Sequence, residues 1–254
     1  MKFSILVTVL ITATLSAMAQ FPMTFDTPVT LGNSQASNVW YPDRQAPAIF
    51  QSTTFAGVSA LQVGVNSADY NAGNNFYNTQ GRKFDVTSSS IGDFFSVNLY
   101  IASAWQTSNA RADMWLTAVD SSGANAAFPI IGFQSYLDGT TFNPTFHVWD
   151  DNIGFVNLAT PITYDSWVNL SITRESYGFS YAINGTQVYE DIVSGVSAVN
   201  NVMLQDRNYN NTYSSYWNTL DAPNPTPTPE PSTLALAALG GLSVLIMSQR
   251  RKKG

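Results

Sequence analysis

Tyr177-Gly-Phe-Ser-Tyr-Ala-Ile-Asn-Gly-Thr-Gln-Val-Tyr189 is a stretch in which apolar and polar residues alternate on both sides of Asn184-Gly185. Alternation at every second position is typical of a β-strand with one buried face. Asn-Gly favours a two-residue type I′ turn, whose twist matches that of the strands it joins. The stretch therefore predicts a β-hairpin.

Other stretches show the same strand signature. In Phe94–Ile101 the residues at positions 95, 97, 99 and 101 are all apolar, so they would share one buried face. In Arg111–Val119 positions 112, 114, 116 and 118 are apolar in the same way. Asp120–Gly123 predicts a turn after that strand, because Asp, Ser and Gly favour turns. The remaining candidate strands are Phe128–Tyr136, Pro144–Trp149 and Trp167–Arg174.

The body of the chain, residues 20–221, has weak helix signals. It is rich in Asn, Ser, Thr, Gly and aromatic residues. Many short strands separated by turn residues are typical of an antiparallel β-sandwich or jelly roll. No internal repeat of fixed period is present in the sequence, which disfavours a propeller or a solenoid. We therefore predict a single all-β domain over residues 20–221.

Part of this body resembles laminin-G-like and concanavalin-A-like jelly rolls. The resemblance is carried by Trp167-Val-Asn-Leu-Ser-Ile-Thr173, followed by the hairpin with its Asn184-Gly185 turn. Those folds often contain a strand that opens with Trp and then a hairpin with an Asn-Gly turn. The order of the earlier strands is also similar, so the resemblance spans residues 84–210. It implies a jelly roll, with another β-sandwich as the alternative.

The first 19 residues have the features of a secretory signal peptide. Lys2 precedes an apolar run from Phe3 to Leu10, and the small residues Ala17 and Ala19 come before Gln20. A basic start, an apolar core and a small-x-small site define such signals. We expect cleavage after Ala19 and export of the body, with a retained membrane helix as the alternative.

The C-terminal segment has three parts. Residues 222–228 carry Pro at alternate positions, which predicts an extended linker. Pro229-Glu230-Pro231 follows, and then an apolar run from Leu234 to Met247. As a helix this run would extend about 21 Å, so it would span a bilayer core of about 30 Å only marginally. The chain then ends in a basic cluster that should stay cytoplasmic, namely Arg250, Arg251, Lys252 and Lys253.

This segment resembles the PEP-CTERM sorting tail of Gram-negative bacteria. The resemblance rests on Pro229-Glu230-Pro231, on Ser232-Thr233, on the apolar run and on the basic end, over residues 229–254. It implies recognition by an exosortase, a membrane protease-transpeptidase that removes the tail near Pro229-Glu230-Pro231. It also implies a transient anchor in the inner membrane, followed by a place at the cell surface or in the exopolysaccharide and biofilm matrix. An ordinary C-terminal anchor helix is the alternative.

Composition excludes some functions. The chain has no Cys, so catalysis by a thiol is excluded. The body holds 16 of the 17 acidic residues and six of the 11 basic ones, a net charge of −10. No basic residues cluster in it, so we expect no nucleic-acid binding. An acidic exported surface suits solubility and the binding of divalent cations.

The sequence predicts no catalytic residues. Glycoside hydrolysis needs two carboxyl groups, and the Glu-x-Asp-x-x-Glu run of jelly-roll glucanases is missing. The only two Glu residues of the body, Glu175 and Glu190, are typical of a solvated edge. The single histidine, His147, should lie on the same strand face as Trp149. Without a Cys or a Ser-x-Gly elbow it gives no catalytic triad.

Two clusters are candidate ligand sites. Asp150, Asp151 and Asn152 could bind Ca²⁺ together with Asp138 or backbone carbonyls, with a plain turn as the alternative. Sugars stack on aromatic rings whose edges carry polar groups. The polar, aromatic stretch 209–218 therefore supplies candidate carbohydrate-binding residues, with core-filling aromatics as the alternative: Tyr209, Tyr213, Tyr216 and Trp217. The stretches 38–41 and 74–78 have a similar composition.

These features together predict an exported, non-catalytic surface or matrix protein that binds extracellular polysaccharide, with Ca²⁺ as the one ligand ion considered. Two alternatives stay open. One is a polysaccharide-degrading enzyme with an unusual arrangement of carboxylates. The other is a purely structural or adhesive protein whose partner is another protein.

Overall fold

β-Strands dominate residues 21–223, the part of the chain that this computed structural model describes. The described residues belong to one compact unit. The predicted signal peptide at 1–19, most of the linker at 222–228 and the tail at 229–254 lie outside them. Three short 3₁₀-helices are the only helical elements between residues 21 and 223: Ser67–Asp69, Asn75–Asn78 and Ser103–Thr107.

The strands form two large antiparallel sheets and one small ribbon. The eight-stranded sheet contains β1 (Tyr41–Pro42), β4 (Thr79–Ser88), β6 (Ala110–Val119), β7 (Asn125–Ala127), β8 (Ile130–Ser135), β11 (Thr145–Asp150), β12 (Gly154–Leu158) and β16 (Ala198–Arg207). The seven-stranded sheet contains β2 (Ile49–Phe55), β3 (Val58–Val65), β5 (Phe94–Ile101), β13 (Ser166–Glu175), β14 (Gly178–Ile183), β15 (Thr186–Ile192) and β17 (Tyr213–Asp221). The ribbon pairs β9 (Leu137–Asp138) with β10 (Thr141–Phe142).

Strand order in the eight-stranded sheet differs from chain order. Its strands lie in the order β1-β4-β16-β6-β8-β11-β12, with β7 paired to β6. The seven-stranded sheet has the order β15-β14-β13-β5-β17-β3-β2. Neighbours in space therefore come from distant parts of the sequence, as in sandwiches whose long connections cross between sheets.

The hydrophobic core fills the space between the two sheets. Alternation along β6 sends Ala112, Met114, Leu116 and Ala118 inward, and all four are fully buried. The inward residues of β5 face them and are buried as well, namely Phe95, Val97, Leu99 and Ile101. An apolar core of this kind is the main source of stability in a domain without disulfides. The predicted all-β antiparallel β-sandwich or jelly roll is confirmed.

The predicted hairpin is confirmed in its turn type. Ile183 pairs with Thr186 across the turn. Asn184 and Gly185 have φ angles of 50° and 75°, the left-handed pair that a type I′ turn requires. The side chain of Asn184 also accepts a hydrogen bond of 2.9 Å from the Asn169 backbone N–H, which ties the turn to β13.

The other predicted strands are also confirmed, with ends that shift by one or two residues. Phe94–Ile101 matches β5, and the predictions at 111–119, 128–136, 144–149 and 167–174 correspond to β6, β8, β11 and β13. Asp120 closes the predicted turn, because its Oδ1 accepts hydrogen bonds from the backbone N–H groups of Ser122 and Ala124.

Strand β16 is one of several strands that were not predicted from the sequence, together with β2, β3, β4 and β12. Its pairing register shifts between Val199 and Asn201, which marks a β-bulge. The bulge lets Val199, Val202 and Leu204 all point into the core despite their uneven spacing. A search for strict alternation therefore passes over this strand.

The two ends of the described body lie side by side. Met23 and Leu220 form an isolated antiparallel bridge with two backbone hydrogen bonds, of 2.8 and 3.0 Å. Ala222, which was predicted to begin the linker, is buried in the hydrophobic core. The packed body thus includes the first position of the predicted linker.

Candidate functional site

The outer face of the eight-stranded sheet forms the floor of a groove of about 840 Å³. Strand register places one residue from each of seven strands in a row across this floor. We call it the aromatic row, and it consists of Tyr41, Lys83, Met203, Trp115, Ile130, Trp149 and Phe155. All seven side chains line the groove. The Phe155 ring is 42% exposed and lies 4.8 Å from the Trp149 ring, at 71° to it.

A second row runs beside the first, two residues away along each strand. We call it the polar row, and it consists of Gly81, Gln205, Asp113, Gly132, His147 and Asn157. Its central side chains are buried although they point away from the core: Gln205 and His147 are 0% exposed and Asp113 is 1% exposed. Buried polar groups of this kind must find partners.

Asp113 and His147 bond to each other across an intervening strand. β8 lies between β6 and β11, so the two backbones are two strand spacings apart, or roughly 9.6 Å. Gly132 of β8 pairs with both residues, and a β-carbon at this position would clash with the Asp113 carboxylate. The missing side chain opens a gap through which His147 Nε2 reaches Asp113 Oδ1 at 2.7 Å.

Arg111 completes this buried cluster. Its Nε and a terminal nitrogen lie 2.8 and 2.7 Å from Asp113 Oδ2. The other side of the guanidinium faces the Phe155 ring, 4.2 Å from its centroid. Burial alone would raise the pKa of Asp113, but the charge of Arg111 and the bonds from Arg111 and His147 lower it to about 2. The carboxylate is therefore ionised at neutral pH.

His147 is neutral at pH 7. Burial lowers its pKa, and the charge of Asp113 only partly opposes that shift. A neutral ring that donates Nε2–H to Asp113 keeps Nδ1 as an acceptor. Nδ1 has no hydrogen-bond partner among residues 21–223.

Arg44 covers the other end of the polar row. Its terminal nitrogens contact Asp43 Oδ2 at 2.8 Å and Gln205 Oε1 at 3.1 Å. The guanidinium lies 4.3 Å from the centroid of the Phe76 ring and 4.7 Å from that of Trp115. The groove floor thus contains two guanidinium groups, each paired with a carboxylate and lying against aromatic rings.

The structure does not bring the four predicted carbohydrate-binding residues together. Trp217 is 0% exposed, and its Nε1 donates to Ser215 Oγ at 2.7 Å, so its assignment to a ligand surface is wrong. Alternation along β17 turns Trp217 into the core, as the alternative stated. Tyr216 points the other way, onto the outer face of the seven-stranded sheet, where it stacks on Phe55 at 3.6 Å.

The remaining two of these residues are structural neighbours of the groove. The Tyr213 hydroxyl lies 2.8 to 3.2 Å from the backbone N–H and C=O groups of Arg111 and Arg207, so it ties β6 to β16. Tyr209 lies under the Arg207 guanidinium, 5.3 Å from it. Neither is among the side chains that line the groove.

The residues of the predicted calcium cluster form a turn, and their carboxylate oxygens accept hydrogen bonds from donors of the protein. Asp150 Oδ1 accepts from the backbone N–H groups of Asn152 and Ile153, and its Oδ2 accepts from the Tyr189 hydroxyl at 2.8 Å. Asp151 accepts from Trp149 Nε1 and from the Phe128 N–H. Within residues 21–223 no group of three or more His, Cys, Asp or Glu side chains is arranged to hold a metal ion. Calcium binding here stays a prediction.

Asp191 lies beside this turn, whereas Asp138 belongs to the separate β9–β10 ribbon. Asp191 Oδ2 accepts from the Asp151 N–H at 3.3 Å, and Oδ1 has no partner among the described residues. Burial raises the pKa of Asp191 to about 6, and the nearby charges of Asp150 and Asp151 add to the shift.

Glu175 and Glu190 lie on the seven-stranded sheet and not at the groove. Glu175 accepts a hydrogen bond of 2.9 Å from Ser180. Glu190 accepts from the Tyr177 hydroxyl and from Gln187. These contacts are those of a polar strand surface.

Most residues of the groove were not predicted from the sequence. Arg111, Asp113 and Trp115 alternate with the apolar residues of a strand that was predicted correctly, so their common outward face could have been noted. His147 was predicted on the same face as Trp149, and this is confirmed. Arg44 and Gly132 carry no local signal, because their roles depend on strands far away in the sequence.

We predict that Asp113→Asn lowers the free energy of unfolding at pH 7 by about 3–5 kcal/mol, because it leaves the buried Arg111 charge without a counter-charge. Denaturant unfolding measures the change. The pKa of Asp113 is lower in the folded than in the unfolded state, so its contribution is present above pH ~4 and is lost as the pH falls towards about 2. The control is Arg111→Met combined with Asp113→Asn, which should recover part of the loss. Equal stability of Asp113→Asn and wild type at pH 7 would contradict the ion pair.

We also predict that Asp191→Asn is more stable than wild type at pH 7.5 but not at pH 4. The pKa of Asp191 is about 6 in the folded state, which is above its unfolded-state value. The wild type therefore loses stability as the pH rises from the unfolded-state pKa through the folded-state pKa. The amide has no charge to lose. Melting temperatures across the pH series test this, with Asp138→Asn at an exposed strand end as the control for net charge. A variant that is less stable at both pH values would show that the fold favours the ionised carboxylate.

The body is similar to several solved structures, at low sequence identity and with TM-scores below 0.5. Solved structures similar to the body include a sialidase, with 7% identity, a TM-score of 0.45 and coverage of 72% of this chain and 16% of the sialidase chain. Bacillus licheniformis β-glucanase has 12% identity and a TM-score of 0.43, with 75% and 94% of the two chains covered. A tetrameric galectin from the ball sponge Cinachyrella sp. has 12% identity and a TM-score of 0.38, with 55% and 98% covered. Such likenesses transfer no activity to this chain.

The tail of the chain matches a known sequence motif. No curated protein matches the chain. Among residues 21–223 no helix is long and apolar enough to cross a membrane. The PEP-CTERM protein-sorting motif, in contrast, matches residues 227–252. The chain therefore carries the sorting motif of proteins that are exported and transiently anchored in a membrane before processing.

Proposed function

We propose that this protein is a non-catalytic surface or matrix protein that binds polysaccharide in the groove of its eight-stranded sheet. The observation that supports this most is the aromatic row, which crosses seven neighbouring strands. At a strand spacing of about 4.8 Å the row extends about 29 Å, long enough for several sugar units in series. An elongated, aromatic-lined cleft with a few polar groups is the usual form of a ligand site.

The chemistry of the groove suits sugar rings. Trp115, Trp149 and Phe155 offer ring faces on which the C–H face of a sugar can stack. Some buried polar atoms of the side chains that line the groove lack partners among the described residues, including Trp115 Nε1 and Asn201 Oδ1. An indole donor and an amide acceptor are complementary to hydroxyl groups, which both accept and donate.

Binding is favoured over cleavage by the state of the carboxylates that line the groove. Asp43 is held between Arg44 and Lys83, at 2.8 and 2.6 Å. Asp85 accepts hydrogen bonds from the Tyr41 hydroxyl and from Gln35, at 2.5 and 2.8 Å. Glycoside hydrolysis requires one protonated carboxyl group and one free carboxylate at the scissile bond. Both groove carboxylates are instead occupied by protein donors.

The sorting motif supports the proposed location. An exosortase-type membrane protease would recognise Pro229-Glu230-Pro231 and separate the body from the apolar run and the basic end. The body would then remain at the surface of a Gram-negative cell or in its polysaccharide matrix. Binding a matrix polysaccharide would hold the body in that layer after the tail is removed.

We predict that Trp149→Ala and Phe155→Ala each weaken polysaccharide binding roughly five- to thirtyfold, as expected when an aromatic contact is removed from a binding surface. Residues 21–223 hold a core of their own, so the segment 20–224 can be tested alone against laminarin, xylan, alginate and polygalacturonate by calorimetry. Tyr216→Ala removes an aromatic ring from the opposite sheet and should change nothing.

Two results of this experiment would contradict the proposal. Equal losses in Tyr216→Ala and Trp149→Ala would place the binding surface elsewhere. Steady release of new chain ends from any of the four polysaccharides, abolished by Asp85→Asn, would make the protein an enzyme.

We predict that Glu230→Ala keeps the tail attached and the protein in the membrane fraction of a bacterium that makes an exosortase. The substitution breaks the motif that the protease recognises but leaves the apolar run and the basic end intact. Mass spectrometry of the mature C-terminus and cell fractionation measure the outcome. The control is Pro225→Ala, a change in the linker upstream of the matched residues. Normal trimming of Glu230→Ala would overturn the role of the motif.

A further inference from the structure

Positive charge is concentrated in the groove of an otherwise acidic body. Residues 21–223 contain six Lys and Arg side chains against 16 Asp and Glu. Four of the six basic side chains line the groove, namely Arg44, Lys83, Arg111 and Arg207. The other two are bound elsewhere: Arg82 donates to the Gly32 and Trp40 carbonyl oxygens, and Arg174 to those of Ser89 and Val196.

The protein's own carboxylates do not neutralise all of the positive charge in the groove. Arg44 and Lys83 share one carboxylate, that of Asp43. Arg111 is paired with Asp113 under the floor. Arg207 forms no ion pair within the described part of the chain, and only the Tyr209 ring lies against its guanidinium, at 5.3 Å. Four basic side chains stand against three carboxylates, those of Asp43, Asp85 and Asp113, and the lowered pKa values of Asp113 and His147 keep the first charged and the second neutral. The groove therefore has a net charge of about +1, whereas the body as a whole has −10.

Three unpartnered buried donors belong to the groove lining or to the polar row beside it. Arg44 Nε, Trp115 Nε1 and Gln205 Nε2 all lack a hydrogen-bond partner among residues 21–223. Leaving a buried donor unsatisfied is costly, so an arriving ligand gains most if it supplies acceptors. Asn201 Oδ1 in the groove lining and His147 Nδ1 in the polar row are unpartnered acceptors, and sugar hydroxyls can donate to the former.

The position of Arg44 also favours an anion. Burial lowers its pKa, and although Asp43 opposes this shift, the positive charge of Arg111 adds to it. The positive charges of the two guanidinium groups therefore oppose each other. A negative ligand group over them would reduce that repulsion and form charge-assisted hydrogen bonds, which are about twice as strong as neutral ones.

We infer that the groove is built for an acidic polysaccharide, whose carboxylate or sulfate groups lie against Arg44, Lys83 and Arg207 while its sugar rings stack on the aromatic row. This inference rests on the proposed function, since it specifies the class of polysaccharide that the same groove binds. Neutral glucans and xylans would use the aromatic contacts and hydrogen bonds to their hydroxyl groups. An acidic polymer would add charge-assisted contacts to the three basic side chains.

Two matched pairs of polymers test the charge requirement. Polygalacturonate is compared with its carboxyl-reduced form, and dextran sulfate with dextran, so that each pair keeps its backbone and differs in charge. Residues 20–224 are used because the basic end at 250–253 would itself attract polyanions. Calorimetry at low and moderate NaCl gives the affinities, after cooperative thermal unfolding has been checked for each variant.

We expect at least one acidic polymer to bind at least about tenfold tighter than its neutral partner, and this advantage to shrink as salt screens the charges. An advantage in the polygalacturonate pair would indicate a carboxylate ligand, and an advantage in the dextran pair would indicate a sulfate ligand. Arg207→Gln should lower the affinity for that acidic polymer about tenfold, the equivalent of one charge-assisted hydrogen bond. Its binding to the neutral partner should stay the same.

The matched control is Asn98→Asp. This substitution makes the same change in net charge as Arg207→Gln, but on the outer face of β5 in the other sheet. The Asn98 Oδ1 acceptor for Asn169 is kept. We expect the affinity of this variant for the acidic polymer to be close to that of the wild type.

Three outcomes would overturn the inference in distinguishable ways. Equal affinity for the acidic and neutral members of both pairs would remove the charge requirement but keep the polysaccharide-binding groove. Equal losses in Arg207→Gln and Asn98→Asp would show that net charge, and not the groove, governs the preference. No binding to any of the four polymers would overturn this inference together with the proposed function.

Discussion

A carboxylate buried in a protein is tolerated only when opposite charge and hydrogen bonds replace the water it has lost. Asp113 meets this condition through Arg111 on its own strand and through His147, two strands away. The arrangement needs Gly132 between them, because any side chain there would occupy the path of the bond. It also fixes Arg111 under Phe155, at one end of the aromatic row. The shape of the groove floor therefore depends on one charge balance inside the sheet.

The side chains of each strand in the eight-stranded sheet alternate between two faces, one directed to the core and one to the groove. Inward positions carry only apolar residues along β6, and outward positions carry the groove chemistry of Arg111, Asp113 and Trp115. A register slip by one residue would bury the charged set in the core and expose the apolar set. The core that stabilises the fold and the site that would bind a ligand are thus fixed by the same register.

The sequence indicated the fold far better than the site. Local alternation and the Asn184-Gly185 turn are short-range signals, and each strand predicted from them is present. The groove is assembled from strands in the order β4-β16-β6-β8-β11-β12, an order that no local pattern contains. β16 also escapes the alternation rule because of its bulge. Trp217 was misplaced because polar neighbours on both sides suggested exposure, whereas its position in the period of β17 decides burial.

The bridge between Met23 and Leu220 has a mechanical consequence for a protein that is held, even briefly, by its C-terminal side. β17 ends at Asp221, and it runs between β3 and β5 inside the seven-stranded sheet rather than along its edge. A pull on residue 222 would therefore act along a strand that is hydrogen-bonded on both sides. Met23 of the N-terminal segment is also hydrogen-bonded to Leu220, near the end of that strand. Tension would load those hydrogen bonds in parallel, as in shear, instead of opening them one after another. An internal strand of this kind resists such a pull better than an edge strand, which is hydrogen-bonded on one side only.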